Sequence, residues 1–445
     1  MTSRRISTRV QWYMTIVISF GIVLLGFGCR KNPTDPIQET RSVSFSISIE
    51  DVSAVTADVR VTASCRVAPW TLVLKRGPRM LLNVDRSDTL TVDTLIRDEG
   101  LRPNMQFTYQ AYVLQEGIAI DSSIPLSFKT RDTASHGFFW KKYYLGVAIG
   151  ALLLDVSIVN DTCIWAVGHI SHWGDTLPEN VAHWDGNKWT EFTLPGGYYE
   201  TVIAFEHNDV WVSGGGGIYH LDSTGWHRFF FTSSLFPSSP NRMWGTSSHD
   251  LYIVGTGGHI GWYDGNSLHS IPSPTTIDMR DVWGAINLRT GEKEVIALAG
   301  SLSINGRMFV RITGTSSEEA FTDSGIAWPT ASGLWFVPGK RYYMVNSYLS
   351  YNDQPATGAR WRTDVVASLV NRFYKYGIRG NSEYDYVIAG TEGNIMHFNE
   401  MGWRNYRDEL GEPDADFYRV DMKGNLIVAV GIVGGGTAIA VVGKR

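Results

Sequence analysis

Apolar and polar residues alternate along much of the chain that follows residue 41. In Ser42–Ile49, and again in Ala57–Ala63, every second residue is apolar, which is the pattern of a β-strand with one buried face. Four further runs have strand character: Trp70–Leu74, Thr89–Leu95, Leu101–Val113 and Ser127–Thr130. No amphipathic helical period follows the N-terminal region. Roughly seven short strands within about 90 residues predict a β-sandwich over residues 42–132.

Within the predicted sandwich, Leu101 and Pro103 form a Leu-x-Pro turn that leads into the strand containing Phe107. This spacing resembles the fibronectin type III domain, in which such a turn precedes a tyrosine corner. Phe107 occupies the corner position and cannot donate the phenolic hydrogen bond. The resemblance implies a spacer or adhesion module, and we predict no ligand site in this domain.

A second pattern, an apolar strand that usually ends in glycine, occurs seven times in the rest of the chain. The seven runs are Ile164–Gly168, Val210–Gly214, Leu251–Gly255, Val295–Gly300, Leu334–Pro338, Tyr386–Gly390 and Ile427–Gly431. Their mean spacing is about 44 residues, the length of a four-stranded propeller blade. The predicted fold class is therefore all-β, with a fibronectin type III-like β-sandwich followed by a seven-bladed β-propeller over residues 137–445.

The last repeat has three predicted strands, one fewer than a full blade. Trp140–Leu145 matches the aromatic and apolar spacing of Trp189–Leu194, which is a predicted outer strand. We therefore predict that the segment 138–146 closes the propeller as the fourth strand of the last blade. Such a closure leaves no unpaired strand edge in the ring.

The third repeat has the most characteristic sequence of the seven. Trp244–Gly255 combines a tryptophan, a Gly-Thr-Ser turn and an Asp-Leu-Tyr-Ile-Val-Gly strand. It resembles repeats of bacterial secreted propeller proteins, often lipoproteins, in which a fibronectin-like domain precedes the propeller. Members of this group are sometimes labelled glucosyltransferase-like, but the pattern implies no particular chemistry.

Residues 1–28 have the character of an export signal. Arginines at positions 4, 5 and 9 precede an apolar run from Met14 to Phe27, which is shorter than a membrane-spanning helix. The run ends in Gly26-Phe27-Gly28-Cys29, which resembles the bacterial lipobox, although Gly26 stands where leucine is usual. The resemblance implies a lipid on Cys29, a tether over residues 29–41 and attachment to the bacterial cell envelope. No aspartate follows Cys29, and the resemblance to lipoproteins of bacteria with two membranes therefore implies the outer membrane rather than retention in the inner one.

Composition excludes some functions. Charged residues make up 19% of the chain and the net charge is −5, so no basic footprint points to nucleic acid. Cys65 and Cys163 are the two cysteines besides Cys29. Two buried free thiols are the favoured interpretation, and a disulfide between them is the alternative. We expect no cofactor and no metal.

Candidate ligand-binding residues come mainly from the longest insertion of the repeat, His169–Asn180. It contains His169, His172, Trp173 and Asp175, and its polar and aromatic composition is typical of a binding loop, of a plain exposed loop or, less readily, of a metal site. His259, Lys340 and Arg341 complete the candidate set. Three other histidines, His183, His220 and His397, share one repeat position and are predicted to be structural.

The predicted function is that of a non-enzymatic, lipid-anchored binding or scaffold protein of the cell envelope, whose propeller loops engage a protein or a glycan. The alternative is a propeller-type polysaccharide hydrolase or lyase. The residue types at the mouth of the central channel distinguish the binding protein from the enzyme. A cluster of acids and arginines would favour the enzyme, and an aromatic or mixed surface would favour binding.

Overall fold

The computed structural model describes residues 43–215, 217–229, 240–288, 290–300, 307–321, 331–353, 358–369 and 373–445. The predicted export signal, Cys29 and the tether lie outside the described residues. Two short helices are present in these ranges, α1 (Val365–Leu369) and α2 (Arg407–Leu410), together with a 3-10 turn at Thr256–Gly258. Among the described residues, no helix has the length and apolarity needed to cross a membrane.

The N-terminal part of the described chain consists of two sheets that enclose one core. Its strands are β1 (Val43–Val52), β2 (Thr56–Cys65), β3 (Trp70–Arg76), β4 (Arg79–Arg86), β5 (Val92–Glu99), β6 (Gln106–Gln115), β7 (Ile118–Ser122) and β8 (Leu126–Lys129). One sheet has the order β1-β2-β5, and the other has the order β4-β3-β6-β7 with β8 also paired to β6. Trp70 and Val59, from opposite sheets, are buried in the shared core.

The rest of the described chain forms seven four-stranded antiparallel sheets, each built from strands consecutive in sequence except the last. The first three contain β10 (Leu152–Asn160), β11 (Cys163–Ile170), β12 (Glu179–Trp184) and β13 (Trp189–Phe192); β14 (Tyr199–Glu206), β15 (Asp209–Gly214), β16 (Gly217–Asp222) and β17 (Gly225–Phe229); and β18 (Pro240–Ser247), β19 (Asp250–Gly255), β20 (Ile260–Tyr263) and β21 (Leu268–Ile271). The next three contain β22 (Met279–Ile286), β23 (Lys293–Gly300), β24 (Arg307–Thr313) and β25 (Ser316–Phe321); β26 (Gly333–Val337), β27 (Arg341–Val345), β28 (Leu349–Asn352) and β29 (Arg362–Thr363); and β30 (Lys375–Ser382), β31 (Asp385–Gly390), β32 (Ile395–Phe398) and β33 (Trp403–Asn405). The all-β class and the propeller are confirmed.

The seventh sheet joins distant parts of the chain. Strands β34 (Ala415–Lys423), β35 (Leu426–Val433) and β36 (Thr437–Lys444) are followed in the sheet by β9 (Phe139–Tyr144), which pairs antiparallel with β36. Trp140 lies opposite Gly443, and a Cβ atom on that glycine would come within 2.7 Å of the indole. The absence of a side chain at Gly443 therefore makes room for the Trp140 ring.

One blade differs from the sequence prediction. The other six runs of the repeat pattern lie in the second strands of their blades, but Leu334 to Val337 of the run Leu334–Pro338 belong to β26, the inner strand of the fifth blade. The second strand is β27, in which Tyr342 to Val345 are also buried. Both β26 and β27 are buried and apolar, and neither has the alternation with polar residues that would distinguish them. The sequence pattern therefore identified β26 in place of β27.

The sandwich contacts the propeller at blades five and six. The carboxylate of Glu400 accepts hydrogen bonds from the backbone N–H of Ala54 at 2.9 Å and of Val55 at 3.2 Å. The Lys340 ammonium lies 2.6 Å from Asp51. These contacts lie at the end of the propeller where the inner strands finish, because Lys340 follows β26. The opposite end, where the inner strands begin, is turned away from the sandwich.

Candidate binding face at the channel mouth

A bulge recurs near the start of the inner strand in six of the seven described blades. In each, the register against the second strand shifts by one residue, which leaves one extra residue on the inner strand. The six extra residues are Leu154, Glu200, Asn241, Arg280, Tyr376 and Tyr418. A bulge re-aims the side chain that it carries, and bulges are common beside functional sites. Blade five pairs β26 with β27 without such a shift.

All six bulge residues line one cavity of about 440 Å³ at the mouth of the central channel. The other lining residues are Tyr198, Arg242, Met279 and Arg419. Each bulge side chain is half-buried, so it is held by the blade and still reaches the cavity. Because the six side chains differ in chemistry, the ring presents a specific pattern of apolar, acidic, basic and phenolic groups to a ligand.

Beneath the mouth, two ion pairs repeat the same geometry three blades apart. Arg242 of blade three donates to the carbonyl of Glu200 at 2.9 Å and lies 3.3 Å from Asp155 of blade one. Arg379 of blade six donates to the carbonyl of Leu334 at 3.1 Å and lies 3.1 Å from Asp281 of blade four. Each arginine thus reaches back across two blades, which gives both guanidinium groups a structural role.

The acids in the channel wall are also committed to the fold. Asp155 accepts a hydrogen bond from the backbone N–H of Val202 at 3.0 Å, and Asp281 accepts one from Leu334 at 3.0 Å. In both cases the carboxylate bonds to the inner strand of the next blade. These carboxylates therefore stabilise the ring and are poorly suited to acid–base chemistry on a ligand.

The mouth itself is aromatic and carries more positive than negative groups. Tyr376 and Tyr418 meet edge to face with 5.3 Å between ring centroids, and Tyr198 is 48% exposed. Arg280 donates through Nε to the carbonyl of Gly300 at 2.9 Å, and its Nη2 lies 4.0 Å from the carboxylate of Asp278. Glu200 is the one carboxylate among the residues that line the cavity, and burial raises its pKa.

The predicted loop residues lie at the same end of the propeller as the mouth. Leu152, at the start of β10, pairs with His169, so the β11–β12 loop lies at the edge where the inner strands begin. The structure gives that loop as residues 171–178. Trp173 is 71% exposed, and Asp175 accepts a hydrogen bond from the backbone N–H of His172 at 2.6 Å.

The polar side chains of this loop do not converge as a group. Nε2 of His172 lies 2.9 Å from Glu191, which raises the pKa of the imidazole, and Glu179 is close to both. His169 points elsewhere, with Nδ1 3.3 Å from the carbonyl oxygen of Gly150. His172 is therefore grouped with glutamates of the neighbouring strands, and His169 and Asp175 are not part of that group.

The three remaining candidates are spread over two ends of the propeller. His259 lies between β19 and β20 at the mouth end, and its Nδ1 is 2.8 Å from the carbonyl oxygen of Thr256. Lys340 and Arg341 lie at the far end, where Val337 pairs with Arg341. Lys340 is engaged by the sandwich, and Arg341 pairs with Asp353. The structure does not bring these residues together with the β11–β12 loop.

The sequence interpretation missed the bulge ring. A signal for it exists, because Leu154, Glu200, Asn241 and Tyr376 each stand fourteen positions before the glycine that ends the next apolar strand. Aligning the repeats on that glycine would have placed these four different side chains at one equivalent position. Alternation alone could not find them, because a bulge interrupts the alternation.

No protein-family description matches this sequence, and no curated protein matches it. Several solved propeller structures are similar in fold, among them two of YCF48. A structure of YCF48 bound to a D1 peptide has a TM-score of 0.52 and 17% sequence identity, with 69% of this chain and 97% of that chain covered. A structure of YCF48 from Cyanidioschyzon merolae has a TM-score of 0.50 and 14% identity, with 68% and 98% covered. At these identities the likeness shows the propeller fold and no more.

Proposed function

We propose that this protein is a non-enzymatic binding or scaffold protein that holds an acidic peptide segment of a partner protein at the channel mouth. The observation that carries the proposal is the ring of six bulge residues around one cavity. The ring offers phenolic and apolar surface together with a cation, a carboxylate and an amide. Such a mixture suits recognition of a chain segment better than transformation of a small substrate.

The charges at the mouth favour an acidic segment. Arg280 and Arg419 line the cavity, and Glu200 is the one carboxylate among the described lining residues. Arginine is well suited to bind carboxylates because its planar guanidinium donates two parallel hydrogen bonds. The similar structure of YCF48 was solved with a D1 peptide bound, which is further support for a peptide as the ligand class.

Exposed apolar side chains at the same end of the propeller as the mouth extend the proposed contact surface. Trp173 and Leu177 of the β11–β12 loop are each 71% exposed, and Ile149 is 81% exposed. The backbone N–H groups of Val147 and Ala148 both donate to Ser171, which ties the Ile149 loop to the base of the β11–β12 loop. A protein partner that inserts a segment into the mouth would cover this patch at the same time.

The polysaccharide hydrolase or lyase alternative receives less support. Glycoside hydrolysis ordinarily requires two carboxyl groups that flank the scissile bond. Among the described lining residues, Glu200 is not accompanied by a second carboxylate. Asp155 and Asp281, deeper in the wall, bond to backbone N–H groups and arginines.

The same proposal includes lipid attachment at Cys29 and a location in the bacterial cell envelope, on the outer membrane. It rests on the export-signal pattern and on the small residues before Cys29. Labelled palmitate supplied to a bacterial host with two membranes should label the full chain and not the Cys29→Ser variant. Equal labelling and equal membrane fractionation of the two proteins would contradict it.

The N-terminal sandwich is proposed to be of the fibronectin type III kind and to act as a spacer between the anchor and the propeller. Support comes from the strand orders β1-β2-β5 and β4-β3-β6-β7. The corner position holds Phe107, but Tyr109 two residues later donates its hydroxyl to the buried Asp98 at 2.9 Å. A spacer in this place would leave the mouth, at the end of the propeller turned away from the sandwich, free for a partner.

The experiment is selection of a displayed random peptide library on the purified protein, followed by fluorescence anisotropy with the enriched peptides. We expect acidic sequences, and we expect Arg280→Ala and Tyr418→Ala each to weaken binding about tenfold, equivalent to about 1.4 kcal/mol. Arg60→Ala is the matched control, since Arg60 is an exposed sandwich residue paired with Asp93. Enriched peptides whose affinity is unchanged in both mouth variants would contradict the proposal.

A further inference from the structure

One polar contact is repeated inside several blades. The side chain near the end of the third strand meets an aspartate at the start of the second strand. Nε2 of His220 lies 2.9 Å from Asp209 in blade two, and Nε2 of His397 lies 2.7 Å from Asp385 in blade six. In blade three, Trp262 takes the place of the histidine and donates to Asp250 at 3.0 Å. These aspartates give each ring a hydrogen-bond partner.

Blade one departs from this arrangement. His183 pairs across the strands with Trp165, as His220 pairs with Trp211, so the two histidines are equivalent. The position two residues before Trp165, where blades two, three and six have aspartate, is Cys163. His183 is 7% exposed, and its Nε2 atom is buried and has no hydrogen-bond partner among the described residues. A buried ring nitrogen without a partner is costly in a protein interior.

A third residue comes from the next blade. His207 lies in the turn between β14 and β15, at the position that Ser248 occupies between β18 and β19. In blade two, Ser248 donates to Asp209 and so completes the network. In blade one, Nδ1 of His207 approaches Sγ of Cys163 at 3.8 Å. Asp209 and His220 of blade two with Ser248 of blade three are thus replaced by Cys163 and His183 of blade one with His207 of blade two.

We propose that Cys163, His183 and His207 form a Zn²⁺ site with its fourth position open to solvent beside His207. The three residues offer ligand atoms that all lie within 4.8 Å of one another. One thiolate and two imidazoles are ordinary zinc ligands, and a site with three protein ligands keeps a position for water. In a tetrahedral site the sulfur and a ring nitrogen are roughly 3.6 Å apart, given Zn–S and Zn–N bonds of about 2.3 and 2.1 Å.

The residues around Cys163, His183 and His207 favour metal binding. The ring of His183 packs against Trp165 with 4.3 Å between centroids, which restricts its orientation. Cys163 and His183 are buried, whereas His207 is exposed, which gives the ion an entry path from one side only.

The test uses the full chain in a Cys29→Ser background, so that Cys65 and Cys163 are the remaining thiols. After treatment with a chelator, Co²⁺ is titrated and then displaced by Zn²⁺, while thiolate-to-metal charge-transfer absorption and the melting temperature are recorded. We expect one ion per chain, a charge-transfer band and a Zn²⁺-dependent rise in melting temperature.

Three variants discriminate among the outcomes. Cys163→Ala should abolish the charge-transfer band, and His207→Ala, a change at an exposed turn, should lower the affinity by about tenfold or more. Cys65→Ala, which removes the buried thiol of the sandwich, should bind like the parent. The proposal is overturned if the parent protein shows no charge-transfer band, if Zn²⁺ leaves its melting temperature unchanged, or if His207→Ala binds as tightly as the parent.

Discussion

Asp421 in the last blade accepts a hydrogen bond from the backbone N–H of Ile158 in the first blade, with Oδ2 2.8 Å from the nitrogen. Its other oxygen accepts from the N–H of Met422 at 2.8 Å. Asp155 and Asp281 make the same bond to the blade that follows each of them. Asp421 makes this bond across the junction between the last blade and the first, and β9 closes the same ring in the outer strand of the last blade.

Asp421→Ala should therefore destabilise the propeller by about 1–3 kcal/mol, because two backbone donors lose their acceptor. Urea unfolding followed by tryptophan fluorescence measures the change. Asp414→Ala is the control, since Asp414 is an exposed residue of a loop, and it should stay within about 0.5 kcal/mol of the parent. Equal stability of the two variants would mean that the ring does not depend on the Asp421 bond.

Trp140→Ala should lower the free energy of unfolding by about 2–3 kcal/mol, the scale of one large apolar side chain. The indole packs against Tyr406 with 4.9 Å between ring centroids and lies over Gly443. Phe139→Ala on the same strand is the control, because Phe139 is 83% exposed and its truncation should cost little. Rapid hydrogen exchange across β9 in the parent protein would contradict the structural role of this strand.

Stability should fall on acidification because of a histidine pair near the junction of the two domains. Nδ1 of His136 lies 2.8 Å from Nδ1 of His397, and burial together with that neighbour lowers the pKa of His136 to about 4. The unfolded chain has a histidine pKa of about 6.5, so it binds more protons than the folded chain between about pH 6.5 and pH 4. The contribution of His136 to the free energy of unfolding is thus complete above about pH 6.5 and is lost as the pH falls toward 4.

Melting temperatures between pH 7 and pH 4 test this assignment. His136→Gln should flatten part of the decline relative to the parent. His227→Gln, at a mostly exposed histidine of an outer strand, should leave the slope unchanged. If melting temperature falls with pH in parallel for His136→Gln and the parent, the His136 imidazole is not responsible for the pH dependence of stability.

The β11–β12 loop should be dispensable for folding and needed for full binding. Replacing residues 172–177 with an Asn-Gly turn keeps Ser171, which accepts from Val147 and Ala148, and keeps the buried Asn180, which donates to Leu194 at 2.7 Å. We expect the melting temperature to change by a few degrees at most and the affinity for the selected peptides to drop. A large loss of thermal stability with unchanged affinity would show instead that the loop supports the blade.

The apolar repeats predicted the propeller because each second strand is buried on both faces and stands out from its neighbours. Edge strands carry a weaker signal. Most residues of β4 (Arg79–Arg86) are partly or fully exposed, and β4 was not among the predicted runs. In the fifth blade, β26 and β27 are both buried, so the repeat was assigned to the wrong strand. Burial on both faces thus identifies a strand without giving its order in the blade.

The two sites proposed above depend on contacts that no local pattern contains. Glu200 and Tyr418 meet one cavity because their blades surround the same channel, although more than two hundred residues separate them. Cys163, His183 and His207 have no recognisable metal-ligand spacing, since they come from three strands or turns of two blades. What the sequence does contain is cysteine at position 163, where the second, third and sixth repeats have aspartate. That departure becomes visible once the strand register is known.

Pairing of β9 with β36 has a consequence for how the chain is made. A ribosome releases β9 early and β36 only after all the intervening strands have been synthesised, so the outer edge of the last blade stays unpaired throughout that time. Any nascent chain that stops short of Thr437 retains β9 as a free edge with the half-buried ring of Trp140 uncovered. Premature termination products would therefore be open to edge-to-edge aggregation and to proteases, and only chains that reach β36 would escape both.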